Sequence, residues 1–209
     1  MSHPVFIVGG TGYMGRSLIP TLIERGHSVY AVVRAGSERK LAPGATAVPG
    51  DVLDGSTYSS AIPPDATFVQ LVGVPHPSPS KAAQFRAIDL VSAQAAIAAA
   101  QAARVRHFVY VSVAHPAPAM KAYIQVREEC EESIGRSGMN ATILRPWYVL
   151  GPGHRWPYLL VPLYAMFRSN PTAARLGLIT RADMLHALVK AVENPATGRR
   201  IVEVPELRK

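Results

Sequence analysis

The stretch VFIVGGTGYMG, residues 5–15, decides the fold. Its first four residues, 5–8, are apolar, and a short apolar run that leads directly into glycines is typical of a fully buried strand. Gly9 allows the sharp turn after that strand, Gly12 lets the backbone approach a ligand with no Cβ in between, and Gly15 allows close packing of the following helix. Strand, loop and helix together predict a site that holds a pyrophosphate on the N-terminal amides of the helix. A purely structural turn is the alternative.

The rest of the chain alternates short apolar runs with helical periodicity. Because the runs are apolar at consecutive positions, we expect strands buried on both faces, as in a parallel sheet covered by helices on both sides. The sequence therefore predicts the α/β class, with a single doubly wound parallel sheet of the Rossmann type. The predicted strands cover residues 5–8, 29–33, 46–48, 68–72, 108–113, 141–144 and 201–204, and the later helices 81–104, 121–136 and 182–193.

The domain organisation follows from the absence of repeats and linkers in the sequence. We expect one NAD(P)-binding domain, residues 1–209, with a small C-terminal region on the substrate side at about 146–180. In the helix predicted over 81–104, Phe85, Ile88 and Val91 are expected on one side.

Composition limits the function classes. The formal net charge is +8, but the positive residues are scattered and no aromatic-lined basic stripe organises them, so we expect no nucleic-acid partner. No apolar stretch is long enough to cross a bilayer or to form a signal-peptide core, which predicts no membrane partner and a cytoplasmic protein. The histidines lack metal-ligand spacing, so no metal is expected. Cys130 is the only cysteine, and its neighbours Glu128, Glu129, Glu131 and Glu132 should disfavour the thiolate.

The residues after the second predicted strand indicate which dinucleotide binds. An acidic residue there binds the ribose of NAD(H), whereas an arginine pairs with the 2′-phosphate of NADP(H). Arg34 follows Val33 directly, Arg39 and Lys40 lie close behind, and the first acid is Glu38. Arg34 and Arg39 are therefore the candidate phosphate contacts, and we expect NADP(H) to be preferred over NAD(H). A solvated basic loop is the alternative.

Three further motifs accompany the glycine loop: Gly50-Asp51-Val52, the strand Phe108-Val109-Tyr110-Val111-Ser112, and the segment from Ser137-Gly138 through Thr142-Ile143-Leu144-Arg145-Pro146. Together they resemble the atypical short-chain dehydrogenase/reductase superfamily, in particular its small NAD(P)-binding members in the NmrA-like and epimerase-like branches. The resemblance implies a cofactor site with Gly9, Thr11, Gly12, Tyr13, Met14 and Gly15 at the pyrophosphate, Arg34 at the 2′-phosphate, Asp51 and Val52 at the adenine, Leu71, Val72 and Gly73 along the nicotinamide-side ribose, and Pro146, Trp147 and Tyr148 beside the nicotinamide.

The same resemblance implies a catalytic serine, a tyrosine and a lysine four residues after the tyrosine. Residues i and i+4 lie on one helix face, so the cation lowers the tyrosine pKa and the phenol exchanges a proton with a carbonyl or alcohol. The candidates here are Ser112, Tyr123 and Arg127, and the arginine is a departure because its planar fork is larger than an ammonium. Alternatively, Tyr123 is an ordinary aromatic residue at a helix start and Arg127 a surface charge.

Two function classes remain open on these residues. The leading hypothesis is an NADP(H)-dependent oxidoreductase that acts on a small-molecule carbonyl or alcohol. The second is a catalytically silent dinucleotide-binding sensor or partner subunit, which the replacement of lysine by Arg127 favours. A nucleotide-sugar epimerase or dehydratase is a weaker third, because little chain follows Arg145 to build a sugar-binding lobe.

Some segments carry weaker expectations. His76, His115 and the pair His154-Arg155 are candidate substrate contacts, each with an ordinary loop residue as the alternative. The apolar segment 156–167 is a lid over the nicotinamide, a buried helix or a partner surface. The resemblance suggests a homodimer through the helices predicted over 81–104 and 121–136.

Overall fold

The computed structural model describes residues 3–117, 119–151 and 176–208. Its main sheet has seven strands, all paired in parallel. They are β1 (Pro4–Val8), β2 (Ser28–Val33), β3 (Thr46–Pro49), β4 (Thr67–Gln70), β5 (His107–Val111), β6 (Ala141–Arg145) and β9 (Arg199–Glu203). The spatial order is β3-β2-β1-β4-β5-β6-β9, so the chain changes direction across the sheet between β1 and β4. In such sheets ligands bind at the carboxyl ends of the strands beside that switch point.

Helices cover both faces of the sheet. They are α1 (Gly15–Glu24), α2 (Ala82–Gln84), a π-helical turn (Phe85–Leu90), α3 (Val91–Ala102), α4 (Lys121–Ser137), α5 (Arg181–Glu193) and α6 (Val204–Leu207). α5 begins with a capping box, in which Thr180 Oγ1 accepts from the Asp183 amide at 3.1 Å and the Thr180 amide donates to Asp183 at 2.8 Å.

The core is divided by the sheet into two clusters. On one side Val5 and Ile7 of β1 pack with residues of α1 and α5, and on the other side Phe6 and Val8 pack with residues of α3 and α4. These four side chains are fully buried, as a strand covered on both faces requires. The predicted Rossmann-type sheet is confirmed.

The helix predicted over 81–104 is interrupted in a way that the sequence pattern did not show. Residues 85–90 form the π-helical turn, which holds more residues than an α-turn and therefore rotates the face that follows. Phe85 is fully buried, Ile88 is partly buried and Val91 is 38% exposed. The expectation that the three share one side was therefore wrong for Val91.

Several predicted boundaries shift at the carboxyl edge. The fourth strand ends at Gln70 rather than at 72 and the fifth at Val111 rather than at 113, because the chain leaves the sheet there to form loops. Val204 begins α6 and does not end β9. A separate two-stranded parallel sheet, β7 (Tyr148–Leu150) with β8 (Leu178–Thr180), was not predicted. It joins the two ends of the region predicted at about 146–180, and the candidates His154, Arg155 and 156–167 lie outside the described residues.

Candidate dinucleotide and substrate site

The glycine loop lies between β1 and α1 at the carboxyl edge of the sheet. Gly9 has φ +92°, and a Cβ on it would come within 2.9 Å of backbone atoms in the segment after β4. A Cβ on Gly15 would lie 2.6 Å from the carbonyl carbon of Gly10. On Gly12 a Cβ would meet only the Gly9 carbonyl oxygen, at 3.1 Å. Close packing therefore requires the first and third glycines, whereas Gly12 leaves its outer side open.

The start of α1 is suited to an anion. Its cap residue Met14 makes no side-chain hydrogen bond, and the first turn has no acidic residue. The N-terminus of a helix carries the positive end of its dipole. The amides of Arg16 and Ser17 already donate to the carbonyls of Gly12 and Met14, at 3.1 and 3.0 Å. Arg16 stays close to the loop, because its Nε donates to the Thr11 carbonyl at 2.8 Å. These residues fit a pyrophosphate, and Gly9, Thr11, Gly12, Tyr13, Met14 and Gly15 all belong to this loop.

The segment after β2 presents its basic side chains to solvent. Arg34 and Arg39 are both exposed. The one acid in this loop, Glu38, is turned back, because its carboxylate accepts from the Gly36 amide at 3.0 Å. The exposed positive side chains of this loop are Arg34, Arg39 and Lys40.

Two other predicted cofactor segments lie along the same edge. Asp51 follows β3, and its Oδ1 accepts from the Leu53 amide at 2.9 Å, so one carboxylate oxygen already serves the turn. Val52 is partly buried. Leu71, Val72 and Gly73 follow β4, where the Leu71 amide continues the sheet by donating to the Val8 carbonyl at 2.9 Å.

A cavity of about 270 Å³ opens at the carboxyl ends of β5 and β6. It brings together residues that are far apart in the sequence: Tyr13, His76, Pro77, Val111, Ser112, Val113, Met120, Tyr123, Pro146, Trp147, Tyr148 and Val149. Tyr13 links it to the glycine loop, since its hydroxyl packs against Gly151 and its ring lies 5.8 Å from the Arg181 guanidinium carbon. The predicted Ser112 and Tyr123 thus share one cavity with the residues predicted beside the nicotinamide, Pro146, Trp147 and Tyr148, and His76 lies at its wall. Leu71, Val72 and Gly73 do not line it.

Arg127 is part of a buried ion pair below this cavity. It is 5% exposed and pairs with Asp89, which is 1% exposed. Its other nitrogen donates to the Tyr110 hydroxyl and the Val111 carbonyl, each at 3.0 Å. Burial by itself lowers the pKa of Arg127, but Tyr110, Tyr123 and Asp89 raise it well above its ordinary value. The alternative that Arg127 is a surface charge was therefore wrong.

The guanidinium of Arg127 also reaches two neighbouring groups of the site. Its carbon lies 4.9 Å from the centre of the Tyr123 ring, which packs at 4.9 Å against Phe85. A Cβ on Gly73 would lie 2.7 Å from an Arg127 nitrogen, so the pair is directly beneath the segment that follows β4. Asp89 accepts from the Val74 amide there at 3.0 Å. Arg127 thus supports the tyrosine ring and this backbone segment from behind.

Ser112 is hydrogen-bonded to a second ion pair, between the buried Glu131 and the partly buried Arg145, which the sequence analysis missed. Its hydroxyl donates to Glu131 Oε1 at 2.5 Å, and Arg145 donates to both oxygens of that carboxylate, at 3.1 and 2.5 Å. Burial alone raises the pKa of Glu131, but the hydrogen bonds from Arg145 and Ser112 lower it below its ordinary value. His115 Nε2 lies 3.3 Å from the same oxygen. The i, i+4, i+8 spacing of Tyr123, Arg127 and Glu131 was the available signal.

Cys130 is fully buried on the same helix, and burial raises the pKa of its thiol. The expected suppression of the thiolate is confirmed, but burial is the main cause rather than the flanking glutamates. Within residues 3–117, 119–151 and 176–208, no group of three or more His, Cys, Asp or Glu side chains is placed to hold a metal ion. No described helix is both long enough and apolar enough to span a bilayer.

The fold and the site define a dinucleotide-binding Rossmann protein. Comparison with known families identifies it further: the family model described as NAD(P)H-binding matches residues 9–195. The chain belongs to this NAD(P)H-binding family, and its resemblance to the atypical short-chain dehydrogenase/reductase superfamily is confirmed.

Two relatives of the chain are longer proteins. The photosystem II assembly factor Ycf39 of Synechocystis is 29% identical over 96% of this chain and 61% of its own length. The ceramide reductase of Caulobacter vibrioides is 25% identical over 98% of this chain and 65% of its own length. The chain therefore spans less than two thirds of either. Bordetella bronchiseptica WbmH, solved with NAD+, superimposes with a TM-score of 0.73 at 22% identity, over 97% of this chain and 76% of WbmH, which shows the shared fold.

Proposed function

We propose that the chain is an NADP(H)-dependent oxidoreductase that interconverts a small carbonyl compound and the corresponding alcohol. One observation carries the proposal: Ser112 and Tyr123 line the same cavity as Tyr13 of the glycine loop and Trp147. A ligand in this cavity lies between two hydroxyl side chains and the cofactor loop. The relative described as a ceramide reductase supports the reductase class.

The dinucleotide supplies the hydride chemistry when it is bound, and the chain's own residues hold and protonate the substrate. Tyr123 is the proposed proton donor or acceptor at the substrate oxygen. Arg127, whose guanidinium carbon lies 4.9 Å from that ring, holds the ring in place through a cation–π contact. Because Arg127 is buried against Asp89, we assign it to the support of the Tyr123 ring and not to a direct contact with the cofactor ribose.

The preference for NADP(H) rests on the loop after β2. A 2′-phosphate is attracted by the exposed Arg34 and Arg39, while Glu38, which would repel it, is held by the Gly36 amide. Arginine also binds phosphate through two parallel hydrogen bonds, which a ribose hydroxyl cannot reproduce.

Calorimetric titration of the purified chain with NADPH and with NADH tests the cofactor proposal. We expect tighter binding of NADPH, with the preference lost in Arg34→Glu. Arg106→Glu is the matched control, because Arg106 is exposed and lies just before β5, at the opposite edge of the sheet. Equal binding of the two dinucleotides by the wild type, or an equal effect of the control, would refute the assignment of Arg34.

A catalytically silent dinucleotide-binding subunit is the second candidate. The burial of Arg127 on Asp89, where the superfamily pattern has lysine, and the relative described as an assembly factor favour it. Oxidation of NADPH in the presence of a panel of ketones and aldehydes discriminates the two. Turnover that Tyr123→Phe abolishes supports the oxidoreductase, whereas tight NADPH binding with no turnover of any member supports the silent subunit.

The remaining proposals concern partners. We propose a small-molecule substrate, with no nucleic acid and no membrane, and a homodimer through α3 and α4. Sedimentation of the wild type tests the dimer. The epimerase or dehydratase alternative predicts that the chain converts a nucleotide sugar into its epimer or its dehydrated product without a net change in the NADPH concentration.

A further inference from the structure

Ser112 faces the cavity with its lone pairs rather than with its hydrogen. A serine hydroxyl has one hydrogen, and in this site that hydrogen is donated to Glu131 at 2.5 Å. Ser112 is 3% exposed and still lines the cavity. The usual task proposed for such a serine, donating to a carbonyl oxygen, therefore conflicts with the contact that it makes.

Glu131 is held as an ionised acceptor. Arg145 binds both of its oxygens and also lies 3.5 Å from Glu203 on β9, so its guanidinium bridges two carboxylates. Glu131 is 4% exposed, and buried carboxylates remain charged when they are paired and hydrogen-bonded in this way. An ionised carboxylate accepts hydrogen bonds and donates none.

A line of close contacts continues from Glu131 to the surface. His115 Nε2 lies 3.3 Å from Glu131 Oε1, and His115 Nδ1 lies 3.0 Å from Glu128 Oε1. The Glu128 side chain is 45% exposed, whereas those of Glu131 and His115 are 6% and 13% exposed. The contacts thus run from a buried cavity wall through an imidazole, which both accepts and donates protons, to solvent.

We propose that Ser112, Glu131 and His115 form a proton relay that takes up the hydroxyl proton of an alcohol bound in the cavity, with Tyr123 donating a hydrogen bond to the same oxygen instead of taking that proton. The alcohol O–H bond breaks as its proton passes to Ser112 Oγ, and the serine's own proton passes to Glu131 Oε1. That proton continues to His115 Nε2, and the proton on Nδ1 leaves toward Glu128 and solvent. The alcohol carbon gives its hydride to the oxidised nicotinamide dinucleotide, so the carbonyl product and the electrons are accounted for. Glu131 does not touch the ligand and acts through Ser112.

This inference rests on the proposed oxidoreductase function and adds a substrate preference to it. Since the Ser112 oxygen can only accept a hydrogen bond from a ligand, we expect an alcohol, which donates one, to bind more tightly than the corresponding carbonyl compound. The aromatic lining from Tyr123, Trp147 and Tyr148 suits an aryl secondary alcohol.

The experiment compares the binding of 1-phenylethanol and acetophenone to the chain without dinucleotide, by ligand-observed NMR titration. The wild type is expected to bind the alcohol about tenfold more tightly. In Glu131→Gln the amide donates to Ser112, whose hydroxyl is then free to donate, so the preference should shift toward acetophenone. Ser112→Ala, which leaves the Glu131–Arg145 pair in place, should bind both alike. Glu129→Gln, a partly exposed position on the same helix that pairs with Arg86, should keep the wild-type preference.

A second readout needs no ligand. The Ser112 hydroxyl proton should give a strongly downfield proton resonance that is absent from both Ser112→Ala and Glu131→Gln. Acetophenone binding as tightly as 1-phenylethanol, binding of neither, or the lack of that resonance overturns the relay. Because no dinucleotide is present in either measurement, these outcomes are independent of the NADPH titration that tests the proposed function.

Discussion

The substitution Asp89→Asn tests whether the buried Asp89–Arg127 ion pair contributes to the free energy of unfolding. Asp89 and Arg127 are 1% and 5% exposed, so Asp89→Asn removes a charge of nearly unchanged shape and leaves the guanidinium buried without its counterion. Breaking a buried pair in this way costs about 3–5 kcal/mol of the free energy of unfolding. For a chain of this size each kcal/mol lowers Tm by about 2–4 °C, so we expect a loss of about 6–20 °C.

Glu129→Gln is the matched control for this substitution. Glu129 forms a two-contact pair with Arg86, at 2.9 and 3.3 Å, but the two side chains are 35% and 54% exposed. Exposed pairs contribute about 0–1 kcal/mol. Urea unfolding followed by circular dichroism measures both variants. A loss below about 1 kcal/mol for Asp89→Asn, or equal losses for the two variants, would refute the reasoning that burial makes the first pair essential.

Two other predictions concern pH and the cofactor loop. Burial lowers the pKa of His107 to about 4 in the folded chain. A histidine in an unfolded chain has a pKa of about 6.5, so between pH values of about 4 and about 6.5 the unfolded state binds more protons than the folded state. Stability should therefore fall by about 3 kcal/mol as the pH drops from about 6.5 to about 4. Urea unfolding across this range should show that His107→Gln removes most of the loss; an unchanged pH dependence would contradict it. Gly12→Ala, which meets one atom at 3.1 Å, should weaken NADPH binding by about tenfold with little change in Tm, whereas Gly15→Ala should lower Tm because its Cβ lies 2.6 Å from Gly10. Calorimetry and thermal unfolding check this pair, and an unaffected NADPH affinity in Gly12→Ala would count against the loop assignment.

The sheet could be predicted because its signals are local. Consecutive apolar residues such as those of β1 identify a strand covered on both faces, and the glycines at its end fix the turn. The π-helical turn at residues 85–90 was not predictable from periodicity, since its apolar spacing also fits an α-helix. The short strands β7 and β8 were not predicted, because each has only three residues and the paired residues, such as Tyr148 and Leu178, are 30 positions apart in the sequence.

The site divides in the same way. Ser112 and Tyr123, which the resemblance and the helical spacing selected, line one cavity, since a strand end and the next helix start meet at the carboxyl edge. Their catalytic roles stay a prediction. The ion-pair partners were not foreseen, because Asp89 reaches Arg127 across 38 positions and Glu131 of α4 meets Arg145 of β6. Long-range charge pairing depends on packing that no local pattern encodes.

The two ion pairs, Arg127–Asp89 and Glu131–Arg145, together explain how the site accommodates an arginine in place of lysine. Tyr123, Arg127 and Glu131 occupy successive turns on one face of α4. Arg127 pairs with Asp89 of the π-helical turn, and Glu131 pairs with Arg145 at the end of β6. Arg127 is drawn toward Asp89 and the backbone after β4, which leaves Tyr123 with a cation behind its ring. Glu131 is drawn toward Arg145 and takes the hydrogen of Ser112. Under the proposed relay, proton transfer in this site is therefore expected to depend on the serine and its carboxylate as much as on the tyrosine.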